Sequence, residues 1–364
     1  MQIDKLFVIQ NLSGRQEVRK IIRATGVAPV IIERPEAAYQ WVRSQDDPVA
    51  RGKRTLLITE NKGCFLKKCP GTSHYTCCDY QILHAASYCS MDCAYCILQV
   101  YFHPPLLQFF VNQDEIFAEL EEQGSALSSR RIGTGEFTDS LIWEDYTDLT
   151  GRLVEYFGRQ NRLVLELKTK TTAVGRLQGL RHNRRTIAAW SLNTPGMIKN
   201  LEKGTARLEA RLRAARTCQR WGYPLAFHFD PMVIYPGWED EYRQVVDMLF
   251  GQIDPRGVVW ISMGTFRFIP ALKSIIQSRF PDSTFIYGEF IPGLDGKLRY
   301  LRPLREEVYA RMSGWIRKYA PDVALYLCME DECIWENALG VSPSKLGGLP
   351  AYLDRAAAKV CCIS

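Results

Sequence analysis

The sequence predicts an α/β protein built on a partial (β/α)6 barrel of the TIM type, with a small N-terminal α/β extension and a C-terminal tail. Short β-rich segments alternate with amphipathic helical patterns along the middle of the chain, which indicates right-handed βαβ units and a parallel sheet. The 364 residues suffice for a large core, and 46% hydrophobic and 24% charged residues are typical of a globular protein. Disordered and fibrous classes are thereby excluded.

The predicted barrel spans residues 80–285. Its strands are expected at residues 81–85, 131–133, 162–167, 186–192, 225–229 and 258–262. Helical patterns are expected at about residues 113–126, 142–159, 172–180, 204–221, 239–251 and 266–279. In such a barrel, functional side chains are expected at the C-terminal ends of the strands.

The barrel is flanked by two smaller regions. Residues 1–79 form the predicted N-terminal extension, which ends in a Cys-rich segment. Its strands are expected at residues 5–10, 29–33 and 55–59, and its helices at 16–24 and 35–43. Residues 286–364 form the predicted C-terminal extension, with a basic loop, a helix near 305–318 and a strand near 323–328.

The most unusual feature of the composition is the presence of 12 cysteines beside only 5 histidines. No N-terminal signal segment and no run of 18 apolar residues occurs, so we expect a cytoplasmic protein without membrane contact. Thiols stay reduced in the cytosol, and so many of them indicate metal or redox chemistry rather than disulfides. The net charge of +6 is compatible with a nucleic-acid partner without requiring one.

The sharpest motif is Cys89-Ser-Met-Asp-Cys93-Ala-Tyr-Cys96, which directly follows the first barrel strand. Three thiolates on a tight loop can hold three irons of a [4Fe–4S] cluster and leave the fourth iron open for a small molecule. A zinc site is an alternative, but zinc prefers four ligands in two separated pairs. Three buried thiols without a role are the other alternative.

The C-x3-C-x2-C spacing, with Tyr95 just before the last cysteine, resembles the radical S-adenosylmethionine (SAM) superfamily. The resemblance implies that the open iron binds SAM and that an electron from the cluster cleaves it to a 5′-deoxyadenosyl radical. Gly135 and Glu136, after the second strand, resemble the superfamily's Gly-Gly-Glu element, although a Gly-rich strand end also occurs as a plain turn. Lys170 and Ser191, at the ends of the third and fourth strands, are further candidate SAM contacts.

Within the superfamily the chain resembles the spore photoproduct lyase family, which repairs a thymine dimer in DNA. The resemblance runs from about residue 5 to residue 300. It is carried by the segments Cys93-Ala-Tyr-Cys96-Ile-Leu-Gln99, Lys168-Thr-Lys170, Ser191-Leu-Asn193, Gly222-Tyr-Pro-Leu225 and Asp230-Pro-Met-Val-Ile-Tyr-Pro-Gly-Trp-Glu239. It implies SAM contacts at Thr138, Lys170, Ser191 and Asp230 and a partial barrel with the cluster near its top.

The chain departs from that family at two positions. The dimer-splitting enzymes place a hydrogen-donating cysteine at the position aligned with Glu136, and a tyrosine where this chain has Ile97. Neither a carboxylate nor an isoleucine can quench a carbon radical as a thiol does, and no cysteine lies between Cys96 and Cys218. Radical generation is therefore expected, whereas the hydrogen donor of this chain is not identified by its sequence.

Six further cysteines lie outside the triad, namely Cys64, Cys69, Cys77, Cys78, Cys328 and Cys333. The dimer-splitting relatives lack this set, so only its chemistry can be used. A second [4Fe–4S] cluster, a zinc or redox site, a replacement hydrogen donor and buried core thiols all stay open.

Basic residues are unevenly distributed, and two segments are candidates for nucleic-acid contact. Residues 168–220 contain 13 Lys or Arg and 2 Asp or Glu, although Arg-rich helices are commonly solvated faces. Candidate contacts in the C-terminal extension are Lys297, Arg299, Tyr300, Arg302 and Arg305.

These observations predict a radical SAM enzyme that abstracts hydrogen from a DNA lesion or another nucleic acid. Its electron donor would be a flavodoxin or ferredoxin. One alternative keeps the fold but uses a small molecule or peptide and an auxiliary Fe–S cluster. The other alternative is a non-catalytic Fe–S or zinc protein that binds DNA.

Overall fold

The structure is a computed structural model that describes residues 1–72, 74–127 and 130–363. The strands in these residues are β1 (Lys5–Ile9), β2 (Pro29–Ile32), β3 (Thr55–Thr59), β4 (Leu66–Lys68), β5 (Gln81–Leu83), β6 (Ala86–Ser87), β7 (Asp92–Cys93), β8 (Leu107–Phe110), β9 (Arg131–Gly133), β10 (Val164–Thr169), β11 (Thr186–Ser191), β12 (Glu202–Lys203), β13 (Leu225–Met232), β14 (Val258–Thr265), β15 (Arg267–Phe268), β16 (Phe290–Pro292), β17 (Leu298–Tyr300) and β18 (Ala324–Leu327).

The α-helices of the same residues are α1 (Gln16–Thr25), α2 (Glu36–Arg43), α3 (Pro48–Gly52), α4 (Leu98–Tyr101), α5 (Asp114–Gln123), α6 (Leu149–Gly158), α7 (Pro195–Leu201), α8 (Leu208–Arg220), α9 (Trp238–Phe250), α10 (Pro270–Arg279), α11 (Arg302–Tyr319), α12 (Glu332–Leu339) and α13 (Leu349–Cys361). Among the described helices, none has the length and apolarity needed to cross a bilayer.

The central element is a curled sheet of eight strands in the order β18-β14-β13-β11-β10-β9-β5-β4. All neighbours in it are parallel except the antiparallel pair β4 and β5 at one edge. This sheet confirms the predicted partial barrel. It also recruits β4 and β18 from the two flanking segments, so its edges are built by residues far apart in the chain.

The barrel strands are buried on both faces, as expected for a parallel sheet covered by helices. Every residue of β11 and of β14 is buried, and Trp190 and Trp260 on these strands are fully enclosed. Because parallel strands end at one rim, the side chains that follow β9, β10, β11 and β13 gather at the same mouth.

A second sheet, of order β2-β1-β3-β8-β6, stands beside the barrel. Leu6 and Val8 of β1 belong to the same apolar cluster as Tyr88, Cys89 and Cys93. The N-terminal sheet therefore packs against the loop that carries the cysteine triad.

Four predicted helices differ from the structure in extent, and one of these differs also in type. The helix expected at 142–159 begins only at Leu149, because Ile142, Trp143 and Tyr146 form buried turns above the barrel. The helix expected at 172–180 is a single 3-10 turn, Gly175–Leu177, because Gln178 is extended and Gly179, with φ +77°, has a conformation that helices do not allow. The helix expected at 204–221 begins at Leu208 and the one at 266–279 begins at Pro270.

Candidate active site

The cysteine triad lies on a short loop between β6 and α4, with Cys89 and Cys93 buried and Cys96 partly buried. The Gln99 amide, from α4, holds this loop by donating to the carbonyls of Cys93 (3.1 Å), Ala94 (3.1 Å) and Cys96 (3.3 Å). These bonds satisfy three backbone acceptors at once and fix the direction in which the thiols emerge.

A second anchor comes from Lys53, which directly follows α3 and is almost fully buried. Its Nζ donates to the carbonyl of Met91 at 2.6 Å and lies 3.7 Å from the Asp92 carboxylate. Arg279, at the end of α10, binds the same carboxylate through two nitrogens at 2.9 and 3.1 Å. A buried ammonium and a guanidinium thus hold the Asp92 carboxylate, and with it the triad loop, in place.

Behind the triad, a buried carboxylate joins the loop to the barrel. Glu202 accepts hydrogen bonds from the Tyr95 hydroxyl and from Arg211, and lies 3.0 Å from Lys170 Nζ. Burial alone would raise the pKa of Glu202, but Lys170 and Arg211 outweigh it and hold the pKa at about 2. The carboxylate therefore stays charged and keeps both cations in place.

Lys170 connects this network to the mouth of the barrel. It follows β10 directly, and its Nζ lies 2.8 Å from the Tyr95 hydroxyl. The buried Asp139 carboxylate accepts the Lys170 backbone N–H at 2.8 Å and the Thr169 hydroxyl at 2.8 Å. An ammonium has three N–H donors, so one remains after Tyr95 and Glu202 are bound.

The segment after β9 packs closely against the neighbouring strand end. A Cβ at Gly135 would lie 2.8 Å from the Cβ of Lys168, so this position tolerates no side chain. Glu136 forms an ion pair with Lys168. Thr138 accepts a hydrogen bond from the indole N–H of Trp143 at 3.1 Å, which orients its hydroxyl.

The remaining predicted SAM contacts also lie at strand ends. Ser191 is the buried last residue of β11, and its carbonyl accepts from Arg211 at 2.8 Å. Asp230, near the end of β13, pairs with Arg267 at 3.2 Å.

The residues present fit a cluster and SAM by their chemistry. Three thiols stand on one loop, and the amino-acid end of SAM needs carboxylate acceptors and a cationic donor, which Glu136, Asp230 and Lys170 supply. Burial raises the pKa of Cys89 to about 12, so cluster binding must release its proton. Across residues 1–72, 74–127 and 130–363, no three or more His, Cys, Asp or Glu side chains are grouped to hold a metal ion.

The six extra cysteines divide into two sets. Cys69, Cys77 and Cys78 lie in the loop between β4 and β5, and Cys328 follows β18. These four thiols are near enough to act on one another's pKa. Cys64 and Cys333 are exposed and are not among the thiols that act on these four.

The candidate nucleic-acid contacts of the C-terminal extension are mostly buried. Arg299 pairs with Asp295 at 2.8 Å, and Arg305 pairs with the buried Glu330. The Tyr300 ring is buried and stacks on Phe290 at 4.6 Å. The structure does not place these three at the surface, because each binds polar partners inside the protein, although the buried Nε of Arg299 has none.

The two other residues of that patch differ from each other in exposure. Lys297 is partly buried and pairs with Asp295 at 3.4 Å. Arg302 keeps 49% of its side-chain surface exposed while it contacts Asp331 at 3.1 Å.

Sequence reasoning missed four residues that hold the site together, which are Lys53, Glu202, Arg211 and Arg279. Arg211 lies in the basic segment 168–220, for which a solvated face is expected, yet it is fully buried and donates to Glu202 and to the carbonyl of Ser191. The signal for this in the sequence is the apolar face of α8. Leu208, Leu212 and Ala215 lie on that face, and Arg211 lies on the same side of the helix.

Comparison with known proteins identifies relatives of this chain. The chain is 26% identical over 238 residues to the spore photoproduct lyase of Clostridium acetobutylicum, which covers 64% of this chain and 68% of that protein. It is 30% identical over 201 residues to the spore photoproduct lyase of Bacillus subtilis, covering 54% of this chain and 59% of that protein.

A solved spore photoproduct lyase double variant with bound AdoMet and dinucleoside spore photoproduct has the same fold. It superposes with a TM-score of 0.78 at 21% identity and covers 89% of this chain and 98% of that one. The family model for spore photoproduct lyase matches residues 49–290, which include the triad and all the strand-end residues described above. The chain belongs to the spore photoproduct lyase family of radical SAM enzymes.

Proposed function

We propose that this chain binds a [4Fe–4S] cluster through Cys89, Cys93 and Cys96 together with SAM, and that it acts on a thymine-derived lesion in DNA. When bound, the cluster and SAM supply a hydrogen-abstracting carbon radical. The observation that carries the proposal is the contact between Lys170, at the end of β10, and Tyr95 of the triad loop, with Nζ and hydroxyl 2.8 Å apart. It joins the cluster ligands and the predicted SAM contacts into one site.

Each residue of this site has a defined task. Gln99 and Lys53 fix the carbonyls of the triad loop, and Glu202 holds Tyr95 and Lys170 in position. The remaining N–H of Lys170 would bind the SAM carboxylate, and Gly135 lets the segment after β9 pack closely against Lys168. Thr138, Ser191 and Asp230 complete the proposed SAM contacts.

A nucleic-acid substrate is supported by the family and by the surface next to the triad. Ile97 and Tyr101, in the turn and helix that follow Cys96, expose 37% and 51% of their surfaces. The Tyr101 ring stacks on Phe137 with centroids 6.0 Å apart. Exposed aromatic rings are typical platforms on which unpaired bases stack. A solved relative also holds a dinucleoside spore photoproduct.

The final hydrogen transfer must differ from that of the dimer-splitting enzymes. Glu136 replaces their donor cysteine and is engaged by Lys168, so the position carries an ion pair instead of a thiol. Ile97 cannot relay a hydrogen atom. Tyr95 is buried, and its hydroxyl is bound to Glu202 and Lys170.

We infer that the electron comes from a flavodoxin or ferredoxin and that the protein works in the cytoplasm. All twelve cysteines are free thiols, which persist in reducing compartments. The single exposed guanidinium of the C-terminal patch, Arg302, remains a proposed phosphate contact, and Lys297 is partly available.

The proposal is tested by anaerobic reconstitution followed by measurement of 5′-deoxyadenosine with SAM, a reductant and DNA. We expect SAM cleavage that is abolished by Cys89→Ala and accelerated by DNA carrying spore photoproduct relative to undamaged DNA. Cys333→Ser, at an exposed cysteine outside the site, is the matched control and retains activity. If the reconstituted chain leaves SAM uncleaved, the proposal that it is a radical SAM enzyme is wrong. If SAM is cleaved at the same rate with and without lesion DNA, a small-molecule substrate is favoured.

A further inference from the structure

The barrel sheet is curled so far that a loop beside one edge reaches the other edge. Residues 69–80 connect β4 and β5 at one edge, and Cys328 directly follows β18 at the opposite edge. The backbone N–H of Thr76 donates to the carbonyl of Glu330 at 3.2 Å. Arg131, on β9, donates to the carbonyl of Cys78 and pairs with Asp354 of α13 at 2.9 Å. Cysteines that are distant in sequence are therefore brought to one place.

Four thiols meet where the two edges close. Cys77 and Cys78 are adjacent in the chain, and Cys69 and Cys78 pack against the same apolar cluster. The thiol of Cys69 lies close enough to Cys78 and Cys328 for their charges to act on it, and Cys328 feels Cys78 in the same way. Cys78 and Cys328 both lie near enough to Tyr326, on β18, for their charges to raise its pKa. These four sulfurs form one group, called the closure cysteines below.

The surroundings of the closure cysteines leave room for sulfur and supply positive charge. A Cβ at Gly71 would lie 2.8 Å from the Sγ of Cys77, so the glycine keeps that space free. Arg267 Nη2 donates to the Sγ of Cys328 at 3.3 Å. Burial raises the pKa of Cys328 to about 12, and Arg267 acts in the opposite direction.

The same opposition of burial and a neighbouring cation acts on two more of these thiols. Burial and the neighbouring Glu136 raise the pKa of Cys69, and Lys168 lowers it. Arg131 acts likewise on Cys78. Metal binding takes cysteines as thiolates, and adjacent cations stabilise the negative charge that then collects.

The other cysteines outside the triad do not share this setting. Cys64, Cys333 and Cys362 are exposed, while Cys218 and Cys361 are buried among apolar side chains of the barrel core. Their position in the fold therefore distinguishes the closure cysteines from the other cysteines outside the triad. All twelve cysteines lie in the described residues.

We propose that Cys69, Cys77, Cys78 and Cys328 ligate a second [4Fe–4S] cluster, distinct from the one assigned to Cys89, Cys93 and Cys96. Each iron of such a cluster takes one thiolate, so its ligands stand farther apart than four ligands around one zinc ion. Among the described residues, no group of three or more His, Cys, Asp or Glu side chains is placed to hold a single metal ion, and this holds for the triad as well as for the closure cysteines. The second cluster would lie beside Glu136 and Asp230, and thus at the mouth of the same barrel.

The test uses the full chain with Cys89→Ala, Cys93→Ala and Cys96→Ala combined, so that its readout does not depend on SAM cleavage. After anaerobic reconstitution with iron and sulfide, we expect this triple variant to keep about four irons and four labile sulfides per chain, against about eight in the unchanged protein. Iron, sulfide and zinc are counted, and the reduced sample is examined by electron paramagnetic resonance.

Two variants from opposite sheet edges locate the ligands. In the triple-variant background, Cys69→Ala and Cys328→Ala each remove the remaining cluster, whereas Cys64→Ala and Cys333→Ala keep it. Circular dichroism checks that each variant folds. If one of the two variants misfolds, the variant at the opposite sheet edge still tests the proposal. A folded triple variant without iron, one that binds about one zinc per chain instead, or equal losses in the Cys64 and Cys333 controls each overturn the proposal.

Discussion

Two cysteine-bearing loops of this molecule are held in place by different means. The triad loop is contiguous and is anchored from below by the buried side chains of Lys53, Gln99 and Glu202. The loop with Cys69, Cys77 and Cys78 has its fourth partner at the far edge of the sheet and is held by contacts across that closure, such as Thr76 to Glu330.

The difference teaches what kind of site each loop can form. A contiguous loop fixed by buried charges presents its ligands whether or not the barrel is fully closed, and it leaves one iron of a cluster open. A site built from two sheet edges exists only when the barrel is closed, and its ligands can complete the coordination. Variants that remove one kind of support should therefore disturb one loop and spare the other.

The largest effect is expected from Glu202→Gln, behind the triad loop. The change leaves Lys170 and Arg211 buried without their anion, and breaking a buried pair in this way costs about 3–5 kcal/mol. Urea unfolding monitored by circular dichroism measures this loss. Iron bound at the triad should fall as well, while the iron of the closure cysteines is retained.

Removing a cation together with the anion is the matched control. Because Arg211→Met removes one of the two orphaned charges, the double variant Glu202→Gln with Arg211→Met should be more stable than the two single losses added together. Strict additivity would show that the carboxylate and the guanidinium do not act as a pair, and would contradict this account of the triad anchor.

Acid should weaken the same anchor in a defined window. The folded pKa of Glu202 is about 2 against 4.5 for an ordinary glutamate. A depressed pKa contributes stability that is fully present above about pH 4.5 and is lost as the pH falls toward 2. The shift corresponds to about 3 kcal/mol.

The unfolding free energies of the unchanged protein and of Glu202→Gln should therefore converge as the pH is lowered through this window. Urea titrations at successive pH values give both curves. If the difference in unfolding free energy between the two proteins stays constant from neutral pH to pH 3, the destabilisation by Glu202→Gln comes from packing rather than from charge.

Several parts of this arrangement follow from the sequence because they are local. The triad spacing lies within one loop, and the strand at 131–133 was predicted with the bounds that β9 has in the structure. The candidate SAM contacts lie at or near the ends of β9, β10, β11 and β13 because parallel strands share one rim. Spacing and periodicity predict the triad and the strands, whereas the SAM contacts as a set are implied by the family resemblance.

Other parts depend on long-range closure, which a single sequence does not reveal. Glu202 stands in a Leu-Glu-Lys-Gly segment that looks like a solvated loop, yet it is almost fully buried between two cations. Arg299 and Arg305 look like a basic surface patch, but Asp295 and Glu330 neutralise them inside the fold. The meeting of Cys69 and Cys328 requires the sheet to curl until β4 and β18 approach.

A smaller effect is expected from Arg305→Met, which acts on the closure side. The residue pairs with Glu330, whose carbonyl receives the Thr76 N–H of the cysteine loop. Burial already raises the pKa of Glu330, so it can bind a proton when the cation is lost, and we expect a loss of about 2–3 kcal/mol. Arg302→Met, at the half-exposed neighbour, should cost at most about 1 kcal/mol. Equal losses in the two urea titrations would remove the distinction between buried and surface arginine.

The smallest change in stability is expected from Gly71→Ala. This variant distinguishes an effect on the position of the Cys77 thiol from an effect on the free energy of unfolding. The new Cβ would lie 2.8 Å from the Sγ of Cys77, which is exposed and can move aside, so unfolding should change by about 0.5–1 kcal/mol. The displaced thiol should nevertheless reduce iron uptake by the triad-free variant, because a ligand must stand in a fixed place. Gly63→Ala is the control in the same region, since its nearest atom is 3.9 Å away. If both alanine variants take up iron equally, the space at Gly71 is not needed to position the sulfur of Cys77. The closure loop would then bind iron without a fixed thiol position, in contrast to the triad loop.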